Sequence, residues 1–202
     1  MMIKRREVLS LFALALAGSG PAIAATANTQ QPAGTRAEDH PWLDAKTLYS
    51  QFERKGKGFF MQEAMHCQTE VYVAFDAQCT DSHRLWRAAK PLADRVTFIW
   101  LPVAVFNRRS EAQGVAILSA KDPVAAMERQ IAEFSSPSRG LPTEGLVLDD
   151  EVRDDIWSNS TLFRRSGGRG VPLAIFKHVK GGYSVIDDKF DVANLPRLFE
   201  LA

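Results

Sequence analysis

The chain has 202 residues, a formal net charge of +1 at pH 7 and a hydrophobic fraction of 46%. A near-neutral chain has no broad basic surface for nucleic acid or an anionic membrane, so we expect neither as a partner. The length is typical of one domain with a sizeable buried core.

The N-terminal residues 1–24 predict a secretory signal peptide. Basic residues at 4–6 precede an apolar run over 8–17, and an A-x-A-like cleavage site ends at Ala24. The apolar run is too short to span a bilayer, which takes about 20 residues, so cleavage is favoured over a retained membrane anchor. We therefore expect a periplasmic protein. Arg5-Arg6 also forms a loose twin-arginine pattern, which leaves the export route open.

The segment after the signal peptide predicts a linker and then a helix. Residues 25–40 are rich in Ala, Thr, Gln, Pro and Gly, a composition typical of flexible linkers. Apolar residues from Trp42 to Phe52 recur at near-helical spacing, which predicts one short helix within residues 41–58.

Residues 59–202 predict one α/β domain. Its predicted elements are strands over 71–75 and 96–101, a helix from 82 to about 92, helices over 110–120, 122–134 and 149–165, strands over 171–177 and 183–186, and a helix over 191–201. The run 59–61 is apolar and fits either a strand or a helix. The order β-α-β, a helical block inserted over about 110–166, and β-β-α is that of a thioredoxin-like fold.

Cys79 lies at the predicted junction between a strand and a helix, in the stretch FDAQCTDSHRLW. A helix N-terminus presents unpaired N–H groups and a positive dipole end, which stabilise a thiolate. A thiolate is the species that attacks a disulfide. Asp81 is expected to oppose the thiolate and a protonated His83 to favour it. The other interpretation is that Cys79 is a small buried hydrophobe, as lone cysteines usually are.

Val171-Pro172 opens the predicted strand over 171–177 and supplies the candidate substrate-binding residues. In thioredoxin folds a cis-proline at the start of this strand faces the active-site cysteine, and the residue before it pairs with an extended substrate. Only about 5–6% of X–Pro bonds in folded proteins are cis, so the sequence does not decide the isomer. A proline that opens a strand is also an ordinary structural device.

Five stretches resemble the periplasmic DsbC/DsbG-type thiol:disulfide interchange proteins, and DsbG most closely. They are VYVAFDAQC, LWRAAKPL, LPVAVF, AILSAKDPVAAM and GVPLAIFK, and they lie within residues 71–202. The resemblance implies a thioredoxin-like fold with Cys79 as the active-site cysteine and Val171-Pro172 as the substrate-facing pair.

Two positions depart from the pattern of this family. Ser82 occupies the place of the second active-site cysteine, and Val171 that of the usual threonine before the cis-proline. The family also carries an N-terminal dimerisation domain ahead of a linker helix, whereas only the linker and the helix within 41–58 precede the catalytic domain here. We therefore expect a monomer.

A single active-site cysteine restricts the chemistry. Cys79 can attack a substrate disulfide and form a mixed disulfide, but Ser82 offers a hydroxyl where a thiol would be needed to resolve it. Dithiol oxidation is therefore excluded, whereas isomerisation and reduction with an external thiol remain available. Attack on a substrate sulfenic acid also remains available. The Ser82 hydroxyl is a candidate hydrogen-bond donor to the Cys79 thiolate.

The expected partners follow from this chemistry. They are exported proteins with cysteines and, as a candidate electron donor, a membrane thiol reductant. No cofactor or metal is expected. The competing interpretation is a redox-inactive peptide-binding or chaperone-like module that uses the cis-proline groove and in which Cys79 has no chemical role.

Cys67 and Cys79 are the two cysteines of the chain and are not expected to pair. They flank the predicted strand over 71–75, whose ends lie roughly 16 Å apart at about 3.3 Å per residue. A disulfide needs its Cα atoms within about 7 Å. His66 and Cys67 together are too few ligands for a zinc site, so Cys67 is expected to be a buried or loop thiol.

Overall fold

The structure is a computed structural model in which residues 35–62, 67–178 and 181–199 are described. The predicted signal peptide, most of the predicted linker and His66 lie outside these residues. Across the described residues, no helix is long and apolar enough to cross a membrane.

The predicted helices and strands follow one another in the predicted order, and the described residues add a short strand at each edge of the sheet. The helices are α1 (Ala45–Lys55), α2 (Thr80–Ala89), α3 (Arg108–Leu118), α4 (Pro123–Ala132), α5 (Asp150–Arg165) and α6 (Leu195–Leu198). The strands are β1 (Thr35–Arg36), β2 (Phe59–Phe60), β3 (Glu70–Phe75), β4 (Thr97–Pro102), β5 (Leu173–Lys177) and β6 (Tyr183–Ile186). The α/β class is confirmed, with α3 to α5 inserted between the β-α-β unit and the final hairpin.

The six strands of the described residues form one mixed sheet in the order β1-β6-β5-β3-β4-β2. The central strand β3 is parallel to β4 and antiparallel to β5, with Val73 opposite Trp100 on one side and Ala174 on the other. Because β3 and β5 run in opposite directions, the end of β3 lies beside the start of β5, where Ala74 pairs with Leu173. This pairing brings the residues that follow β3 next to the residues that precede β5.

Two hydrophobic clusters of the described residues cover the two faces of the sheet. Successive side chains of β3 point to opposite faces, so Val71, Val73 and Phe75 belong to one cluster and Tyr72 and Ala74 to the other. Helices α2, α3, α4 and α6 contribute to the first cluster, and α1 and α5 to the second. Each large apolar side chain buried in this way contributes about 1.5–3 kcal/mol, which makes β3 a rigid base for the residues that follow it.

Both edges of the sheet are short strands that periodicity did not resolve. The predicted linker over 25–40 ends instead in β1, where Thr35 pairs with Val185 of β6. A two-residue edge strand depends on a distant backbone partner, which local composition does not reveal. At the other edge, the ambiguous run 59–61 contains β2, in which Phe59 pairs with Trp100 of β4.

Two predicted elements have different boundaries because proline lacks a backbone N–H. The predicted strand over 171–177 begins at Leu173, since Pro172 has no hydrogen to donate to the ladder. The predicted helix over 191–201 divides into the short 3-10 helix Val192–Asn194 and α6. Pro196 lies in the first turn of α6, the part of a helix that tolerates proline.

Candidate functional site

Cys79 is the N-cap residue of α2, at the end of the turn that follows β3. Its side chain is 4% exposed. The sulfur accepts a hydrogen bond from the Ser82 N–H at 3.4 Å, and the thiol donates one to the Val171 carbonyl oxygen at 3.1 Å. The sulfur therefore lies where the unpaired N–H groups and the positive dipole end of α2 favour negative charge.

Val171 and Pro172 lie opposite this sulfur, and the peptide bond between them is cis. The antiparallel pairing of Leu173 with Ala74 places the Val171 carbonyl against Cys79, although the two residues are 92 positions apart. The contact is a hydrogen bond only while the sulfur carries its proton, because an ionised sulfur has no hydrogen to donate. Loss of that proton leaves the carbonyl oxygen without this donor.

Asp76 holds the turn between β3 and α2, and sequence reasoning did not single it out. Its buried carboxylate accepts hydrogen bonds from the N–H groups of Gln78, Val105 and Phe106 at 2.8, 2.9 and 3.1 Å. Its carbonyl accepts one from the Cys79 N–H at 3.0 Å. Hydrogen bonds to an ionised acceptor are roughly twice as strong as neutral ones, so Asp76 fixes the path of the backbone into Cys79. An aspartate directly after a buried strand is the local signal for such a turn.

Ser82 is fully buried in the first turn of α2, three residues after Cys79. Its backbone N–H, and not its hydroxyl, contacts the Cys79 sulfur. The hydroxyl oxygen has no hydrogen-bond partner within the described residues. The predicted hydroxyl contact is therefore replaced by a backbone contact, because the helical turn directs the N–H of the third residue at the capping atom.

His83 is buried, and its ring contacts Ala77 and Phe134. Its Nε2 lies 2.9 Å from the Ala77 carbonyl oxygen, which only accepts, so Nε2 carries the proton. The ring packs edge-on against Phe134 at 4.6 Å between centroids. Burial lowers the pKa of His83 below its ordinary value of 6.5, against the opposing effect of the Ala77 hydrogen bond. The assistance from a protonated His83 stays a prediction, and burial disfavours the protonated form that it requires.

Asp81 lies on the exposed side of α2 and is partly solvated. Its carboxylate forms an ion pair with Arg84 at 3.2 Å, and the Arg84 guanidinium also donates to the Phe190 carbonyl at 3.1 Å. A neighbouring cation and solvent both reduce the field of a carboxylate at other groups. The opposition of Asp81 to a Cys79 thiolate stays a prediction.

Three buried glutamines connect the inserted helices to the Cys79 turn, namely Gln78 in the turn, Gln113 in α3 and Gln130 in α4. The Gln130 amide donates to the Ala77 carbonyl at 2.8 Å and to the Gln113 oxygen at 2.9 Å. All three amides donate to the Arg139 carbonyl, at distances of 2.7 to 3.3 Å. No local pattern predicts this network, because its members are far apart along the chain.

Cys67 and Cys79 are both free thiols. Cys67 precedes β3 and Cys79 follows it, and the Cys67 thiol donates to the Asp94 carbonyl at 3.6 Å. The two cysteines thus lie at opposite ends of the central strand, as the strand-length argument predicts. In the part of the chain that the structure describes, no three histidine, cysteine or acidic residues could together hold a metal ion.

The arrangement of sheet and site defines a class of fold. A mixed sheet with helices on both faces carries a cysteine at the N-terminus of the helix after its central strand. A cis-proline at the start of the neighbouring antiparallel strand lies opposite that cysteine. These features are those of a thioredoxin-like fold, here with a helical insertion.

Solved structures of periplasmic thioredoxin-like proteins have the same fold. One from Salmonella enterica serovar Typhimurium is 16% identical with a TM-score of 0.58, covering 76% of this chain and 94% of that protein. Proteus mirabilis ScsC in a transitional conformation is 16% identical with a TM-score of 0.62, covering 79% and 80%. Helicobacter pylori DsbG is 12% identical with a TM-score of 0.52, covering 64% and 60%. The thioredoxin-like fold expected from the resemblance to DsbG is thereby confirmed.

Sequence comparisons add nothing to this structural likeness. No protein-family model matches the chain, and no curated protein matches it. At identities this low, the shared fold is what the comparisons establish, and activity has to be argued from the site.

Proposed function

We propose that this protein carries out thiol–disulfide exchange in the periplasm, with Cys79 as the nucleophile that forms a mixed disulfide with a substrate protein. The observation that carries the proposal is the position of the Cys79 sulfur, which caps α2 and faces the Val171 carbonyl. The fold shared with periplasmic thioredoxin-like proteins supports the same class of function.

The proposed exchange begins when the Cys79 thiol loses its proton to solvent. The thiolate attacks one sulfur of a substrate disulfide, the substrate S–S bond breaks, and the second substrate sulfur leaves as a thiolate that takes a proton from water. The Ser82 N–H stays directed at the Cys79 sulfur and stabilises its charge before attack. The freed Val171 carbonyl then accepts an N–H of the extended substrate, as in strand addition.

Release of the substrate depends on a thiol from outside the site, because Ser82 occupies the position of a second cysteine. A second substrate cysteine can attack the mixed disulfide and leave a rearranged disulfide, which is isomerisation. An external thiol, such as that of a membrane reductant, can attack instead and leave a reduced substrate. The proposed activity is therefore of the isomerase or reductase type and acts on exported proteins with cysteines.

The test of this proposal is capture of mixed disulfides. Wild type, Cys79→Ser and Cys67→Ser are mixed with an unfolded protein that has scrambled disulfides, quenched in acid, alkylated and analysed by mass spectrometry. We expect adducts on wild type and on Cys67→Ser, and none on Cys79→Ser. Equal adducts on Cys79→Ser would contradict the proposal and assign the reactivity to Cys67.

A second candidate function, redox-inactive peptide binding, is favoured by the burial of Cys79. Cys79 is 4% exposed and its thiol is already hydrogen-bonded to the Val171 carbonyl. The rate of Cys79 alkylation against pH separates the two functions. Reaction faster than that of free cysteine near neutral pH supports exchange, whereas no reaction in the folded protein supports binding.

We also propose that the mature protein is a periplasmic monomer that lacks residues 1–24. The short apolar run and its cleavage site support removal of the signal peptide. Intact-mass measurement of the exported protein tests the cleavage, and light scattering under reducing conditions tests the monomer. A mass that includes the first 24 residues, or a dimer that resists reductant, would contradict the respective statement.

A further inference from the structure

Arg139 has an unfavourable backbone conformation that its surroundings impose. Its φ is +52°, and it is the one non-glycine residue with positive φ among those the structure describes. Such a conformation persists in a residue with a side chain only where neighbouring groups determine it. Here Gln78, Gln113 and Gln130 all donate to the Arg139 carbonyl. The following residue, Gly140, has no room for a Cβ because the Gln130 side chain lies against it.

The inward-facing carbonyl of Arg139 leaves its side chain on the surface beside α2. The guanidinium lies over the Phe134 ring at 4.4 Å from the centroid, and the Phe134 ring packs against His83 at 4.6 Å. These two distances together place the guanidinium carbon within about 9 Å of the His83 ring, in the first turn of the helix that Cys79 caps. Burial is the main cause of the lowered His83 pKa, and the positive charge of Arg139 adds to it.

The Arg139 guanidinium has no carboxylate within ion-pair distance among residues 35–62, 67–178 and 181–199. Glu133, which begins the same loop, pairs with Arg129 at 3.3 Å. Asp81, in the first turn of α2, pairs with Arg84. A guanidinium stacked on an aromatic ring keeps its N–H edge open for a planar carboxylate, which it binds through two parallel hydrogen bonds.

We propose that Arg139 is a recognition residue that binds an Asp or Glu side chain of an extended substrate whose cysteine exchanges with Cys79. The glutamine network has the role of holding the Arg139 backbone in the conformation that presents this side chain next to α2. The inference rests on the proposed exchange function. It adds that the substrate segment near the reactive cysteine is negatively charged.

The test uses two reporter peptides with the same activated disulfide, one with Glu and one with Gln on either side of the cysteine. At low ionic strength we expect wild type to react about threefold to fivefold faster with the Glu peptide, the size expected of one exposed ion pair. Arg139→Gln should lose this preference while its rate with the Gln peptide stays unchanged. Arg139→Lys, which keeps the charge without the planar fork, should retain part of the preference.

A second variant tests the role of the network without removing the charge. Gly140→Ala forces the Gln130 amide away from the loop, so we expect it to lose the preference for the Glu peptide although Arg139 is present. Arg139→Asn is the alternative if Arg139→Gln does not fold, since asparagine tolerates the left-handed conformation. Circular dichroism and urea unfolding check the fold of each variant.

Equilibrium binding separates this proposal from the exchange function on which it rests. The peptides with a methylated cysteine are titrated into Cys79→Ser, with and without Arg139→Gln, and followed by fluorescence anisotropy. In one outcome, the Glu peptide binds more tightly only when Arg139 is present, and the wild type shows no exchange. This outcome would support Arg139 as a carboxylate-binding residue and refute the exchange function. Exchange at equal rates with both peptides, and equal binding, would overturn the Arg139 proposal and leave exchange intact.

Discussion

The Cys79 thiol donates a hydrogen bond to the carbonyl oxygen of Val171, the residue before the cis-proline, across 3.1 Å. While Cys79 is protonated, this carbonyl therefore already has a donor. An ionised sulfur cannot make this contact. Once Cys79 has lost its proton, the Val171 carbonyl no longer has this donor. One hydrogen bond therefore links the protonation of Cys79 to the occupancy of the Val171 carbonyl.

This hydrogen bond predicts a stability difference between two substitutions of Cys79. Cys79→Ser keeps an O–H that can donate to the Val171 carbonyl, whereas Cys79→Ala leaves a buried carbonyl without its donor. An unsatisfied buried polar group costs about 1–3 kcal/mol. We therefore expect the free energy of unfolding of Cys79→Ala, measured with urea, to be lower than that of Cys79→Ser by about 1–3 kcal/mol. Equal free energies of unfolding would mean that the contact has no energetic weight in solution.

Replacing Ser82 by cysteine is expected to create a redox-active pair. Ser82 lies in the first helical turn after Cys79, a spacing within the Cα separation of roughly 4.4–6.8 Å that a disulfide requires. Ser82→Cys should therefore form a bridge to Cys79, visible by mass spectrometry, and reduce insulin-type substrates with turnover when a thiol donor is supplied. The wild type should turn over poorly.

Ser82→Ala is the matched control for this substitution. It removes a hydroxyl that has no hydrogen-bond partner in the described part of the chain and keeps the N–H that contacts Cys79. Its Cys79 alkylation rate should equal that of wild type. A Ser82→Cys protein with neither bridge nor turnover would contradict the proposed exchange and favour the peptide-binding function.

Asp76→Asn is expected to destabilise the protein by about 2–4 kcal/mol. The carboxylate accepts three backbone N–H groups through its two oxygens, and an asparagine amide has one oxygen and presents N–H groups to the remaining donors. Hydrogen bonds to charged groups contribute about 1.5–3 kcal/mol each. Urea unfolding measures the loss, and the exposed Asp94→Asn is the control. A loss no larger than that of the control would show that Asp76 does not hold the turn.

Stability should decline with acidification because of His83. Its pKa is lowered from 6.5 by burial, so the unfolded chain binds a proton that the folded protein does not. The contribution of neutral His83 is fully present above pH 6.5 and is lost as the pH falls below that value, with a slope of at most about 1.4 kcal/mol per pH unit.

His83→Gln provides the comparison for this pH dependence, since glutamine can donate to the Ala77 carbonyl and does not titrate. Urea unfolding of both proteins between pH 5 and 8 should give a shallower profile for the variant below pH 6.5. Parallel profiles would show that His83 is not the titrating group in this range.

Any covalent dimer that forms without reductant is expected to be linked by a disulfide between the Cys67 residues of two molecules. Cys67 is partly exposed at the far end of β3, whereas Cys79 is buried. Cys67→Ser should abolish the dimer on non-reducing gels, and Cys79→Ser should not. A dimer that survives in Cys67→Ser would assign the linkage to Cys79.

Local sequence was sufficient for the order of the elements apart from the edge strands β1 and β2, and it singled out Cys79 as a candidate. The continuous apolar run over 71–75 is typical of a buried strand, and the spacing of apolar residues after Ser82 follows the helical period of 3.6 residues; a single chain displays both directly. The same patterns placed Cys79 at a strand-to-helix junction and Val171-Pro172 at the start of a predicted strand, which in the structure begins at Leu173. The sequence therefore determined the thioredoxin-like order and the identity of its central candidates.

Tertiary structure decided which groups surround that cysteine and in what state. The Val171 carbonyl, the glutamines of α3 and α4 and the edge strand β1 all depend on contacts between distant segments, which local periodicity does not specify. The protonation of His83 depends on burial, a property of the packed fold. Sequence periodicity reports which residues share a face, whereas hydrogen-bond geometry and desolvation exist only after those faces have packed together.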